Sequence, residues 1–87
     1  MQGKRAYPNP GGFLYLDMGE YGFNESNKIW EIRPPGRHAD TIPNARVIEH
    51  GDNAITVTGL IIHVDTDRKG NRREWRGWLE HGYWREA

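Results

Sequence analysis

The fold turns on one stretch, Ala54-Ile55-Thr56-Val57-Thr58-Gly59-Leu60-Ile61-Ile62-His63-Val64-Asp65, followed across a polar turn by Arg73-Glu74-Trp75-Arg76-Gly77-Trp78-Leu79-Glu80-His81-Gly82-Tyr83-Trp84. Two runs of β-branched and aromatic residues joined by the turn chemistry of Asp67 to Asn71 spell a long β-hairpin. Three of the chain's four tryptophans lie in it, so it must supply much of the core. Its first strand changes phase. Ile55 and Val57 point one way and Thr56 and Thr58 the other, but after Gly59 the apolar set becomes Leu60, Ile62 and Val64. A one-residue slip moves side chains to the opposite face. A β-bulge at Thr58-Gly59 is therefore expected to bring Leu60, Ile62 and Val64 onto the same buried face. The rival reading is a central strand buried on both sides.

Outward from the hairpin, the chain is short elements and punctuation. Met1 to Gly12 reads as an extended arm, with Pro8, Pro10 and Gly11-Gly12 ending it in a turn. Phe13 to Met18 is expected as a short strand, and Gly19 to Asn27 as a loop that Tyr21 and Phe23 pin to the core. Lys28 to Arg33 alternates, Trp30 and Ile32 against Glu31 and Arg33, as a half-buried strand does. Pro34-Pro35-Gly36 ends that strand, because neither proline donates to a ladder. Arg37 to Ala45 reads as a loop with at most a helical turn at Arg37–Thr41. Arg46 to His50 is a strand, and Gly51-Asp52-Asn53 a tight connection. No apolar stripe has helical period and nothing repeats. The expectation is a single all-β domain over 1–87: a small antiparallel sheet of five or six strands, curled into a sandwich or partial barrel.

At 87 residues the chain buries only a little over ~60% of its unfolded surface. Large side chains must make up for that, and 11% of the residues are aromatic. No cysteine is present, so neither a disulfide nor a thiolate–metal site assists, which suits a reducing compartment. Lysine plus arginine and aspartate plus glutamate both number 12, a balance that argues against a dedicated nucleic-acid binder. No apolar run has the length of a membrane span, and no signal-peptide core opens the chain, so a soluble protein that stays in the cytoplasm is expected.

Four constellations could carry chemistry. His63, Asp65 and Asp67 alternate and would share a strand face, where they could ligate a divalent metal with help from His50 or His81. The alternative is a solvated strip in which Asp65 and Asp67 cap turn amides. Ser26 is the only serine and has no base near it in sequence, so a nucleophilic triad has no support. Acid pairs such as Glu49 with Asp52, or Glu74 with Glu80, fit as cross-strand partners of arginines. Arg68 to Arg73 is the one basic cluster, and with Trp75, Arg76 and Trp78 it could serve single-stranded nucleic acid. No glycine-rich phosphate loop is present and no cofactor is expected. Trp75 and Leu79 share parity, so if the bulge face with Leu60, Ile62 and Val64 packs against them, Trp78 must lie outside beside Arg76. Tyr83 and Trp84 also alternate, so only one points inward. The candidate binding residues are Trp78, Trp84, Tyr83, Arg76, Arg72 and Arg73. An outward tryptophan beside an arginine is a typical anchor of protein–protein contacts; the alternative is that the N-terminal arm, Tyr7 to Phe13, folds over that face and completes the core.

Ala54-Ile55-Thr56-Val57, the run from Trp75 to Trp84 and the upstream Arg33-Pro34-Pro35-Gly36 together resemble a pattern of small uncharacterised proteins of tailed phages and prophages. In that pattern a Thr-Val strand leads through Ser-Pro-Ser to a polar turn and then Trp-x-Gly-Trp-Leu-x-x-Gly-x-Trp. The pattern is distantly similar to a larger domain family of unknown function found beside bacterial ubiquitin-like conjugation genes, for which peptidase activity has been suggested. Here Thr58-Gly59-Leu60 stands in place of the serines, and the cysteines of the larger relatives are absent. The resemblance covers about half of the chain. It implies a phage or prophage origin, and no catalytic residue carries over. The function expected is a non-enzymatic module that binds a bacterial host protein as inhibitor or adaptor, or that self-associates, in the host cytoplasm or the virion. The alternatives are a nucleic-acid-contacting accessory protein and a degenerate hydrolase-like domain.

Overall fold

The computed structural model describes residues 1–87 as eight strands, one 3₁₀ turn and no α-helix. The strands are β1 (Lys4–Arg5), β2 (Glu20–Asn24), β3 (Ile29–Ile32), β4 (Asp40–Ile42), β5 (Val47–Glu49), β6 (Ile55–Thr66), β7 (Arg72–Glu80) and β8 (Tyr83–Glu86). They form two four-stranded sheets, β1-β2-β3-β4 and β5-β6-β7-β8, not closed into a barrel. Every pairing is antiparallel except β1 with β2. The expectation of one sheet of five or six strands is thus corrected to two sheets of four. One core joins them: Tyr21, Trp30, Ile32 and Ile42 from the first, and Ile55, Val57, Ile61, Trp75, Leu79 and Trp84 from the second.

In the second sheet the run from Arg73 to Trp84, read as one strand, turns at His81-Gly82 into β7 and β8; the other differences from expectation lie in the first sheet. Phe13 to Met18 is not a strand. Asn9 closes a turn there by accepting the Gly11 and Phe13 amides on its side chain, and of the run's large residues only Leu16 is buried. Glu20–Asn24, expected as loop, pairs with β3 from Tyr21↔Ile32 to Asn24↔Ile29. Its Gly22 reflects a close approach rather than a turn, since a Cβ there would stand 2.5 Å from the Ala6 carbonyl oxygen of the N-terminal arm. β4 forms inside the expected Arg37–Ala45 loop, and the 3₁₀ turn falls at Asn44–Arg46, after the Arg37–Thr41 stretch where a turn was expected. β3 matches its alternation, with Trp30 and Ile32 buried.

The main hairpin is β6, the Asp67–Asn71 turn and β7, extended through His81-Gly82 into β8. Its bulge differs from the sequence reading in size. Val57 pairs with Leu79 and the next partner pair is Ile61 with Gly77, so four residues of β6 advance against two of β7. Two extra residues preserve parity where one would have flipped it. The inward set is Ile55, Val57, Ile61 and His63, and Leu60, Ile62 and Val64 face out. The bulged carbonyls are capped: Arg46 donates from Nε and Nη2 to Thr58 O at 2.9 and 2.8 Å, and from Nη2 to Leu60 O at 2.9 Å.

The N-terminal arm is a structural strand. Met1 and Trp84 exchange backbone hydrogen bonds, and the Gly3 amide reaches Gly82 O at 2.7 Å. The same arm then crosses to the first sheet, where the Lys4 amide donates to Gly19 O and the Ala6 amide to Tyr21 O. The arm thereby fastens the β8 edge of one sheet to the β2 edge of the other. Arg5 lies with its guanidinium 4.6 Å from the Trp30 ring centroid and 5.0 Å from that of Tyr7.

Gly59 holds φ +81° in the bulge, and the space beside it is open except for Arg46 Nη2 at 3.6 Å from an added Cβ. Strain rather than collision therefore decides substitutions. Gly59→Val should destabilise by ~1–3 kcal/mol in urea denaturation. Gly59→Asn, a side chain that tolerates the left-handed region, should lose clearly less. Equal losses for the two would remove backbone strain as the cause.

Candidate functional site

Alternation along β6 and β7 sets the outer face of the second sheet. Leu60, Ile62 and Val64 form a strip on it, with Ile62 51% and Val64 43% exposed. Ile62 stands opposite Arg76 and Val64 opposite Glu74, and these two flanking charges pair with each other at 3.3 Å. Trp78 faces the same way beside the bulge, half-buried, with the Arg85 guanidinium 4.9 Å from its ring centroid. Such a stack contributes ~0.5–1 kcal/mol at an exposed site. Tyr83 and Ile48, both exposed, lie on this face as well, through their pairing with Glu80 and Thr56. β5 pairs only with Ile55–Val57, so from Thr58 to Thr66 one edge of β6 has no strand beside it.

The expected binding residues divide. Trp78, Arg76, Tyr83 and Arg72 are on the outer face. Trp84 is not: it is 2% exposed, its indole Nε1 donates to Gly19 O at 2.8 Å, and its ring meets Trp75 edge-on. Trp84 shares the parity of Leu79, its cross-strand partner, and so points into the core. Arg73 also turns inward, giving Nε and Nη2 to the two oxygens of Asp65 at 2.9 and 3.1 Å. Trp75 is buried and the Trp78 ring carries Arg85, so neither offers a free stacking surface beside the basic cluster. Four exposed apolar residues outside the sheets, Tyr7, Phe13, Tyr15 and Met18, were not singled out from sequence. Phe13, Tyr15 and Met18 belong to the run that read as strand, and only the turn chemistry of Asn9 and Gly11-Gly12 before it signalled otherwise; Tyr7 belongs to the arm.

The His63 strip is a cross-sheet tie. His63 is 4% exposed, with Nδ1 3.2 Å from Asp40 Oδ2 on β4 and Nε2 3.3 Å from Asp65 Oδ2. Asp65 also accepts the His38 amide at 2.9 Å, so β6 holds the loop before β4. Burial opposes the charge on Asp65, but the His38 amide, Arg73 and His63 outweigh it and keep the carboxyl well below its ordinary range. Asp67 takes no part. The Asn71 amide, then its side chain and the Lys69 amide, bond it within the turn and lower its pKa. Of the other candidate ligands, His50 and His81 stack with centroids 4.0 Å apart and bond Thr56 and Asp52. The His63, Asp65, Asp67 alignment on one strand face is therefore corrected, and no group of three His, Asp or Glu side chains is placed to hold a metal ion. Ser26 Oγ donates to the Gly12 carbonyl rather than to a base.

No family model, curated protein or solved structure matches this chain. No helix is long and apolar enough to cross a membrane.

The carboxyl of Asp65 titrates below the 3.8 of a free side chain. A carboxylate with a depressed folded pKa adds stability above its unfolded pKa, and that stability is lost as pH falls through the folded value. Urea midpoints of the wild type should therefore drop steeply below about pH 4, the region where free carboxyls protonate. Asp65→Asn should be less stable than wild type at neutral pH and show a flatter acid limb. Parallel acid limbs would show that the network does not link folding to this proton.

Proposed function

We propose that this protein is a small, non-enzymatic protein-binding module that docks its partner on the outer face of the second sheet. The observation that carries this reading is the strip Leu60, Ile62 and Val64, exposed beside the Trp78 indole with Arg85 stacked on it and rimmed by the Arg76–Glu74 pair. An apolar centre with an aromatic anchor and a charged rim is how specific protein interfaces are built. The unpaired edge of β6 beside the strip adds backbone donors and acceptors for an extended segment of the partner. The resemblance of the hairpin to phage and prophage proteins supports a bacterial host protein as that partner, with the module acting as inhibitor or adaptor in the host cytoplasm.

Trp78→Ala should weaken partner binding by ~2 kcal/mol or more, about thirtyfold in Kd, and leave the fold intact because the ring lies on the outside. Ile62→Asp should abolish capture of the host protein from a bacterial extract with little change in melting temperature. If both variants fold and still capture the same protein as wild type, the outer face is not the docking surface. A wild type that sediments as a dimer, and a monomeric Ile62→Asp, would assign the face to self-association instead.

A further inference from the structure

A second site lies where the two sheets meet, away from the outer face. Met1, Pro35, Arg37, Trp75, Trp84 and Glu86 line a cavity of about 270 Å³ there. Its walls come from both sheets: the turn after β3 supplies Pro35 and Arg37, and β7 and β8 supply Trp75, Trp84 and Glu86. The turn is tied at its backbone. The Arg37 amide donates to Pro34 O at 3.1 Å, and Arg37 O accepts Arg33 Nε at 2.7 Å. The head of Arg37 is not tied. Its guanidinium makes one hydrogen bond, from Nη1 to Gly36 O at 3.3 Å, and its Nε is buried without an acceptor.

Buried donors in native proteins are almost always bonded, so the enclosed Nε marks a guanidinium whose bonding the chain leaves incomplete, and Nη2, which has no partner in the chain, is the donor a ligand can reach. Arg5 Nε is the only other such atom, and that guanidinium is compensated by the rings of Trp30 and Tyr7 and by Glu49 at 3.4 Å. Arg37 has no ring beneath it and forms no ion pair, although Glu86 borders the same cavity. An arginine fixed at its backbone, open at its planar head and set beside tryptophan and proline is suited to a carboxylate carried on an apolar group. The cavity is smaller than the ~300–1,000 Å³ of most ligand clefts, so the group must be compact. Glu86 makes a second negative charge unfavourable.

We propose that this cavity binds a compact apolar monocarboxylate, as a free acid or as the last residue of a polypeptide. The carboxylate sits on Arg37 and the apolar part against Trp75, Trp84, Pro35 and Met1.

The test follows the indole N–H signals of the full chain by NMR during titration with four probes. These are 3-phenylpropionate, its neutral amide, the dicarboxylate phenylsuccinate, and an acetylated tripeptide ending in phenylalanine with a free carboxyl. The acid should bind at least about tenfold tighter than the amide, the loss expected for one charge-assisted hydrogen bond. The dicarboxylate should bind more weakly than the acid. Arg37→Gln, checked for folding by its melt, should erase the preference for acid over amide, and Arg37→Lys should keep part of it. Tighter binding of the tripeptide than of the acid assigns the site to a chain terminus, and the reverse to a small acid. Equal binding of acid and amide, no shift with any probe, or an undiminished acid preference in Arg37→Gln overturns the proposal. None of these results depends on the outer face, since Ile62→Asp leaves the cavity untouched.

Discussion

The single polar atom of the Trp84 indole decides how this molecule closes. Trp84 is the largest side chain in the fully buried part of the core, and a buried N–H without an acceptor costs ~1–3 kcal/mol. The acceptor is Gly19 O, in the segment that leads into β2 of the opposite sheet. That bond fixes the distance between β8 and the entry to β2. The same fixing leaves room for one more strand, and the N-terminal arm fills it, bonding Trp84 through the Met1 backbone and Gly19 through the Lys4 amide. The edge-on packing of Trp75 against Trp84 sets the wall behind which Arg37 lies.

Along β6 the usual distribution of polarity reverses. At Ile55 and Val57 apolar side chains face in, as a sandwich requires. Past the bulge His63 and Asp65 face in, and Ile62 and Val64 face out. The inward polar groups are satisfied, by Asp40, Arg73 and the His38 amide, so the interior tolerates them. The outward apolar groups have no such compensation within the chain. This local reversal over four consecutive residues is what supports the proposed docking surface. The tie also fastens the far end of the hairpin to the loop before β4 and to β4 itself, beneath that face.

The hairpin, β3 and β5 were legible because period-two alternation and turn chemistry agree there. Parity allowed only one of Tyr83 and Trp84 inside and put Trp78 outside, although the premise that Leu60, Ile62 and Val64 pack inside against Trp75 and Leu79 did not hold. The bulge was located by Gly59, but a slip of one residue and a slip of two leave the same sequence signal. The choice between them rests on whether Leu60, Ile62 and Val64 belong inside, and that depends on the opposite sheet. β2 was hidden because Gly22 looks like punctuation until the arm is seen crossing it. β1 and β4 are strands of two and three residues, too short for an alternating pattern to announce them. Arg37 carried no signal at all, because an unmatched donor is a property of assembled geometry.

The two-sheet pairing of the arm has a consequence for the order of folding. Its bonds join residues as much as 83 positions apart, whereas β6 and β7 meet across a five-residue turn. Loop closure favours the short connection, so the hairpin is the natural nucleus and the arm docks last, once both sheet edges exist. Until it docks, the β2 and β8 edges stand open together. The most aggregation-prone species on the route is then nearly native, with its core formed and one strand missing. A free peptide matching the first residues would compete for that gap, giving a direct handle on the last step of assembly.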